Sequence, residues 1–258
     1  MKGVLDSGIV ESILSVAKAR EEAKMVKQMV GKKKSKLIGI PKLEDANDAG
    51  TRNAEACTII LTEGDSAKSL ALAGIEVVGR DKYGVFPLRG KFLNVREASN
   101  DQIMKNPEIT NLIKIMGLQI GQKYESAAKL RYGKIMIMTD QDHDGSHIKG
   151  LLINFVHHFW PSLLKMNGFL QEFVTPIIKA SKGNEINTFF TIPEYEHWAE
   201  GKNLKGYKIK YYKGLGTSTA KEAKEYFGKI ADHVIDFEYV DDTDFEAINL
   251  AFNKKLAD

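Results

Sequence analysis

Apolar positions along this chain follow two rhythms, one spaced for helices and one compressed into short continuous runs. Residues 9–30 set Ile9, Ile13, Leu14, Ala17, Val26, Met29 and Val30 among Lys, Arg and Glu. That spacing predicts an amphipathic helix with Gly31 as its stop. Pro41 to Gly50, rich in Asp and Asn, reads as an extended connection. Cys57-Thr58-Ile59-Ile60-Leu61-Thr62 then reads as a short buried strand, and Glu63-Gly64-Asp65-Ser66 ends it and opens a helix running to about Ala73. Val85 to Leu88 is a short extended element, and Ile103 to Met116 is helical. Lys134-Ile135-Met136-Ile137-Met138-Thr139 is a second buried strand that feeds a helix from about Ser146. Strands alternating with helices predict an α/β fold with a mostly parallel sheet. Beyond Phe169 the pattern shifts to longer strands, Phe169 to Ala180 and Tyr207 to Tyr212, with helices near 193–200, 218–229 and 243–256. The chain therefore divides at 1–56 (helix and basic linker), 57–172 (α/β domain) and 173–258 (α+β extension).

Composition changes this picture little. The 258 residues are 43% hydrophobic and 28% charged, with a net charge of +3, all ordinary for a globular chain. Distribution says more than the sum. Lys32-Lys33-Lys34-Ser35-Lys36 is strongly basic and Asp241-Asp242-Thr243-Asp244 acidic. A short lysine run is ordinarily a solvated loop; the alternatives are nuclear targeting and phosphate contact. The single cysteine, Cys57, rules out an intramolecular disulfide framework and reads as a small core residue. No apolar run approaches the roughly 20 residues of a membrane span, and no secretory segment opens the chain. The expectation is an intracellular, soluble protein without a membrane partner.

The chemistry concentrates where the two buried strands end. The second runs into Asp140-Gln141-Asp142-His143-Asp144, three alternating carboxylates, and the first into Glu63. In a parallel sheet both ends emerge on one edge, the edge where open α/β sheets carry their sites. Carboxylates so crowded raise one another's pKa unless a cation neutralises them. Oxygen ligands with no Cys or paired His nearby favour Mg²⁺ over zinc. The plainer reading is that Glu63 and Asp65 cap a helix and the aspartates form a solvated turn. The repetition of acidic residues at two strand ends favours the metal site.

Four motifs, Glu63-Gly64-Asp65-Ser66-Ala67-Lys68, Pro87-Leu88-Arg89-Gly90-Lys91, Asp140 to Lys149, and Tyr212-Lys213-Gly214-Leu215-Gly216-Thr217, together resemble the Toprim region of eukaryotic type IIA DNA topoisomerase. The resemblance runs from about Gly8 to the last residue. It implies a Toprim fold, a small Rossmann-like parallel sheet flanked by helices, here with an N-terminal helix and a C-terminal α+β extension. It also implies that Glu63, Asp140 and Asp142 hold one or two Mg²⁺ at a scissile phosphate, with Asp144 as a less direct participant. Arg89, Lys91 and Asn94 are implied as DNA contacts, and Lys213 as a phosphate neighbour. Arg and Lys beside glycines approach a phosphate chain closely, which fits that assignment; the plainer reading is that Arg89 and Lys91 merely pair with the acidic cluster. The implied partners are duplex DNA, the winged-helix and ATPase portions of a type II topoisomerase, and a second copy in the full-length family's homodimer. The implied location is the nucleus.

Cleavage in that family uses a tyrosine preceded by arginine in a winged-helix domain, and no nucleophilic tyrosine is expected in this chain. Arg131-Tyr132 offers the dipeptide, but Tyr132 leads into the second buried strand and reads as a packing residue. ATP is expected to act only through an ATPase domain outside this sequence; Gly214-Leu215-Gly216 alone is too weak a signal for a nucleotide loop. His143 and His147 are read as straddling a turn rather than sharing a helix and receive no role, while His157 and His158 read as packing or capping residues. An alternative is a stand-alone, cleavage-incompetent Toprim protein that binds DNA or a topoisomerase partner.

Overall fold

The computed structural model describes residues 9–256. Eight strands are present among them: β1 (Thr58–Glu63), β2 (Tyr83–Leu88), β3 (Lys134–Met138), β4 (Leu170–Phe173), β5 (Ile178–Lys182), β6 (Glu185–Phe189), β7 (Lys208–Tyr211) and β8 (Val234–Asp236). A five-stranded sheet has the order β2-β1-β3-β4-β8 and a three-stranded sheet the order β6-β5-β7. The first four strands of the larger sheet run parallel, and β8 closes the edge antiparallel to β4. The smaller sheet is antiparallel throughout. A mixed, mainly parallel sheet flanked by helices, an N-terminal helix and a C-terminal α+β portion are the fold class that the sequence predicts.

The period-two alternation of a strand explains the layers. Ile59 and Leu61 of β1, with Ile135 and Ile137 of β3, face a core shared with Ile148, Leu152 and Phe155 of the His143–Phe159 helix. Ile60, Met136 and Met138 face the other way, onto Leu70 and Ile75 of the Gly64–Val78 helix and Phe227 of the Ala220–Gly228 helix. Both faces are covered, so the central strands read as continuous apolar runs rather than alternating ones. Each such Ile or Leu contributes about 1.5–3 kcal/mol on burial. A third, small cluster of Ile178, Ala180 and Phe189, packed by Trp198 and Tyr207, holds the antiparallel sheet.

Four expectations need correction. The long strand from Phe169 to Ala180 is two strands in two different sheets. The break at residues 174–177 contains Pro176, which has no N–H to give a ladder. The helix from Ile103 to Met116 is also two, Asn100–Lys105 and Pro107–Met116. Asn106 is extended between them, and its side chain accepts from the Ile109 N–H at 3.0 Å while Pro107 starts the second helix. The N-terminal element is a helix over Ile9–Gln28, but it is not amphipathic against this body. Met25 and Met29 are buried while Ile13 and Leu14 are more than 60% exposed. Finally, His143 and His147 do share one helix, both exposed on its first turns, since Asp142 caps it three residues earlier than expected.

Candidate metal and phosphate site

The parallel register brings the expected residues to one edge. Glu63 ends β1 opposite Leu88 of β2, so Arg89 leaves the sheet beside it. On the other side Thr62 pairs with Met138 of β3, and Asp140 follows two residues on. The Asp140 N–H donates to Glu63 Oε2 at 3.4 Å, which fixes the two strand ends against each other. Glu63 occupies the N-cap position of the following helix, yet its side chain makes no capping bond. That carboxylate is therefore not spent on the helix.

Asp140 is held by a segment that the sequence reading linked only to phosphate. Leu215 N–H donates to Asp140 Oδ1 at 2.7 Å, and a Cβ added to Gly214 would lie 2.3 Å from Oδ2. Gly214 is extended, so close approach rather than a special dihedral demands glycine there. The Lys-Gly-Leu-Gly motif thus clamps a carboxylate through its backbone, and Lys213 stands exposed just before the clamp. Nothing in the residue types announced this contact, which spans 75 positions.

The remaining candidates divide. Asp142 accepts from the Gly145 N–H at 2.8 Å and caps the His143–Phe159 helix, so the plainer reading holds for part of its role. Asp144 pairs with Lys91 at 2.9 Å, and that ammonium holds its carboxyl below the usual range. Asp65 is likewise drawn low by Lys42, beside the helix start. Arg89 is exposed with Lys91. Glu108, absent from the sequence reading, has its carboxyl raised by burial, opposed by the nearby Arg89. Asn94 is half-buried, and both ends of its amide are engaged. Its Nδ2 donates to the Phe252 carbonyl at 2.9 Å and its Oδ1 accepts from Asn154 at 3.0 Å. The structure does not bring Asn94 to the carboxylates as a free side chain.

Glu63, Asp140 and Asp142 have no cationic partner within 4.0 Å among the described residues, whereas Asp144 does. Burial raises the Glu63 carboxyl most; the Asp140 N–H opposes this, and the charges of Asp140, Asp142 and Asp144 add to it. An all-oxygen, uncompensated anionic edge suits a hard divalent cation. It is not a finished cage: among the described residues no three His, Cys, Asp or Glu side chains converge to hold an ion. Such a half-built site fits Mg²⁺, which keeps waters and relies on substrate phosphates.

Tyr132 is wholly buried. Its hydroxyl donates to Asp45 and accepts from the Ala46 N–H, and burial pushes the phenol above its usual range. His157 is also buried, against Arg96 at 2.6 Å, and burial lowers it to about 4. No helix among the described residues is long and apolar enough to cross a membrane.

Comparison with known proteins gives the same region throughout. The family model described as the Toprim domain matches residues 58–173, and that of the C-terminal associated domain of TOPRIM matches residues 173–258. DNA topoisomerase 2-alpha of Gallus gallus is 62% identical over 99% of this chain and 17% of its own length. DNA topoisomerase 2-beta of Homo sapiens is 61% identical over 100% of this chain and 16% of its own. The chain therefore spans about one-sixth of the length of the curated relatives it matches. Among solved structures, the Plasmodium falciparum topoisomerase II DNA-binding, cleavage and re-ligation domain superposes with a TM-score of 0.85 at 62% identity, covering 86% of this chain and 31% of that one.

Proposed function

The chain belongs to the Toprim family, and from that premise we propose that it is the Mg²⁺-binding, DNA-contacting portion of an ATP-dependent type II DNA topoisomerase, which separates entangled duplexes by transient double-strand cleavage. The observation that carries this reading is the uncompensated pair Glu63 and Asp140, joined at adjacent strand ends beside the Arg89 loop.

In this reading Glu63, Asp140 and Asp142 hold Mg²⁺, and Asp144 contributes from the rim. The ion, when bound, stabilises charge on the oxygens of the scissile phosphate. The chain's own residues do the rest. The Leu215 N–H keeps the Asp140 carboxylate oriented. Arg89, Lys91 and Lys213 neutralise neighbouring phosphates, which positions DNA without reading its sequence. Approach of a phosphate competes with Asp144 for Lys91. Asn94 contributes to DNA contact through the stretch it braces, since its amide is already engaged. The nucleophilic tyrosine comes from another portion of the enzyme, as does ATP hydrolysis; Tyr132 is excluded from attack by its burial and its bonds to Asp45 and Ala46. The working partners are duplex DNA, the winged-helix and ATPase portions, and a second copy, in the nucleus.

Titration with Mn²⁺ while following paramagnetic broadening tests the site without requiring turnover. Broadening is expected at Glu63, Asp140 and Asp142, and Asp140→Ala is expected to remove more of it than Asp144→Ala. Broadening confined to residues remote from the β1 and β3 ends would overturn the assignment.

A further inference from the structure

The basic run at residues 32–36 takes no part in the carboxylate site, and the fold gives it a fixed place at the other end of the sheet. Its backbone is held just before the run and at the Lys34 carbonyl. The Gly31 N–H donates to the Leu118 carbonyl at 2.6 Å. Arg131, wholly buried just before β3, donates from Nε to the Lys34 carbonyl at 2.6 Å. Gly50, at φ +71°, packs so tightly on that carbonyl that a Cβ would come within 2.1 Å. With its backbone turned inward, the run sends its side chains out. Lys32, Lys34 and Lys36, joined by Lys114 from the Pro107–Met116 helix, line an open groove of about 420 Å³. Lys33 is used differently, donating to the Ala128 carbonyl at 2.6 Å.

Among the described residues, none of the four groove lysines has a carboxylate within 4.0 Å. Among the described residues the groove is lined by no His, Asp, Glu or aromatic side chain, so they offer neither a metal ligand nor a stacking platform. What it offers is positive charge on a pre-ordered backbone. Lysine ammonium groups are point charges without the planar fork that reads base edges. Several of them spread along an open groove match successive phosphates of a chain better than one isolated phosphate. We infer that this groove is a second contact for the sugar–phosphate backbone of duplex DNA, separate from the carboxylate edge. The choice of DNA as the polyanion rests on the function proposed above; the uncompensated groove does not. Lys134 to Asp140 spans roughly 20 Å at about 3.3 Å per strand residue, so the two contacts act as distinct sites.

Fluorescence anisotropy of the whole chain with a short labelled duplex, repeated across salt concentrations, tests this. Replacing Lys32, Lys34, Lys36 and Lys114 together with Ala is expected to reduce the log–log salt slope by about 3.6. Arg89→Ala with Lys91→Ala is expected to reduce it by about 1.8, and the two losses to add. A control replacing exposed Lys202, Lys205 and Lys208 is expected to leave the slope in place. If the groove variant keeps the wild-type slope while the Arg89 and Lys91 variant loses its share, the groove is no DNA contact and the function above stands. If neither variant moves the slope, both readings fall. A control variant as damaging as the groove variant would mean that net charge alone acts, which overturns the inference. Tripolyphosphate is the last arm: saturable binding abolished by the groove variant, with the duplex slope unmoved, would make the groove a free-polyphosphate site instead.

Discussion

The two ends of β3 are built on opposite electrostatic terms. At its start, Arg131 and Tyr132 are wholly buried and their polar groups are answered by the fold. The guanidinium donates to Asp45 Oδ2 at 2.6 Å, to the Ile115 carbonyl at 2.8 Å and to Lys34, while Tyr132 takes the other oxygen of Asp45. At its finish, Glu63, Asp140 and Asp142 share one edge with no cation among the described residues within ion-pair reach. One strand therefore carries a charge cluster that the protein completes by itself and another without a cationic partner among the described residues. A satisfied buried network specifies architecture. An unsatisfied one at a sheet's carboxyl edge marks a site, because its cost to the fold persists only where a ligand offsets it.

The first way to break this contrast is to damage the satisfied end. Arg131→Met keeps the volume but strands Asp45 beside Tyr132 and frees the Lys34 and Ile115 carbonyls. Removing one partner of a buried pair costs about 3–5 kcal/mol, so urea unfolding is expected to show a loss of that size. Cation binding by the folded fraction is expected to survive. A loss well under 1 kcal/mol would mean that the network contributes little to the fold.

A second, smaller effect belongs to the finish of β3. Gly214→Ala pushes a methyl toward Asp140 Oδ2, which would lie 2.3 Å away. The carboxylate must rotate off the Leu215 N–H, and disturbing a group that orients a ligand typically lowers metal affinity by about 10–100-fold. Mn²⁺ affinity is expected to fall in that range while the melting temperature holds. Unchanged affinity would show that the clamp does not orient Asp140.

How far these ends were legible in the sequence follows from the same contrast. The unsatisfied end was visible because it needs residue types, carboxylates, at the ends of two apolar runs, and parallel pairing placed Glu63 beside Asp140 as expected. The clamp by Leu215 was not, since a backbone N–H looks the same in every residue. Nor was the Arg131 to Asp45 pairing, which joins positions 86 residues apart across a linker with no periodic pattern. Two misplaced element boundaries did have signals, Pro176 within the supposed long strand and Asn106-Pro107 within the supposed long helix. In both, the apolar rhythm runs on past a proline whose missing N–H interrupts the element. Strands β6 and β8 are short edge strands, where neighbours rather than composition decide pairing.

The third prediction turns on the opposite signs of two titrations, Glu63 at the carboxylate edge and His157 in the core. The Glu63 carboxyl is raised in the folded state, mainly by burial. A raised acid is favourable to the fold while protonated, and that favour is lost as pH rises through its folded value. At neutral pH, without a cation, Glu63 therefore strains the fold, and Glu63→Gln is expected to raise the melting temperature slightly and to flatten its dependence on pH above the ordinary glutamate range. The same substitution is expected to abolish stabilisation by Mn²⁺. His157 runs the other way: lowered to about 4 by burial and by Arg96, it supports the fold above its unfolded value near 6.5 and withdraws that support as pH falls toward 4. In His157→Gln the acid limb of the stability curve is expected to lose one proton's slope, at most about 1.4 kcal/mol per pH unit. A Glu63→Gln chain that is less stable at neutral pH would place that carboxylate among the satisfied groups instead.

The smallest effect on the fold is expected from an exposed ion pair at the carboxylate edge, Lys91 with Asp144. Both side chains are more than half exposed, so solvent and salt screen their attraction and ordering two mobile side chains offsets much of what remains. Lys91→Met is expected to leave the melting temperature unchanged, in contrast to Arg131→Met at the other end of the strand. Its consequence belongs to binding. If Lys91 turns from Asp144 to a phosphate when DNA arrives, the variant loses one counterion-releasing contact and the salt slope falls by about 0.9. Asp144→Asn removes the competitor instead: it is expected to tighten DNA binding and to leave that slope intact, because the lysine still meets its phosphate. A Lys91→Met chain that melts well below the parent would show that this pair braces the fold. An Asp144→Asn chain that binds DNA no better than the parent would show that Lys91 does not exchange partners, and the contrast between the two ends of β3 would then rest on Glu63, Asp140 and Asp142 alone.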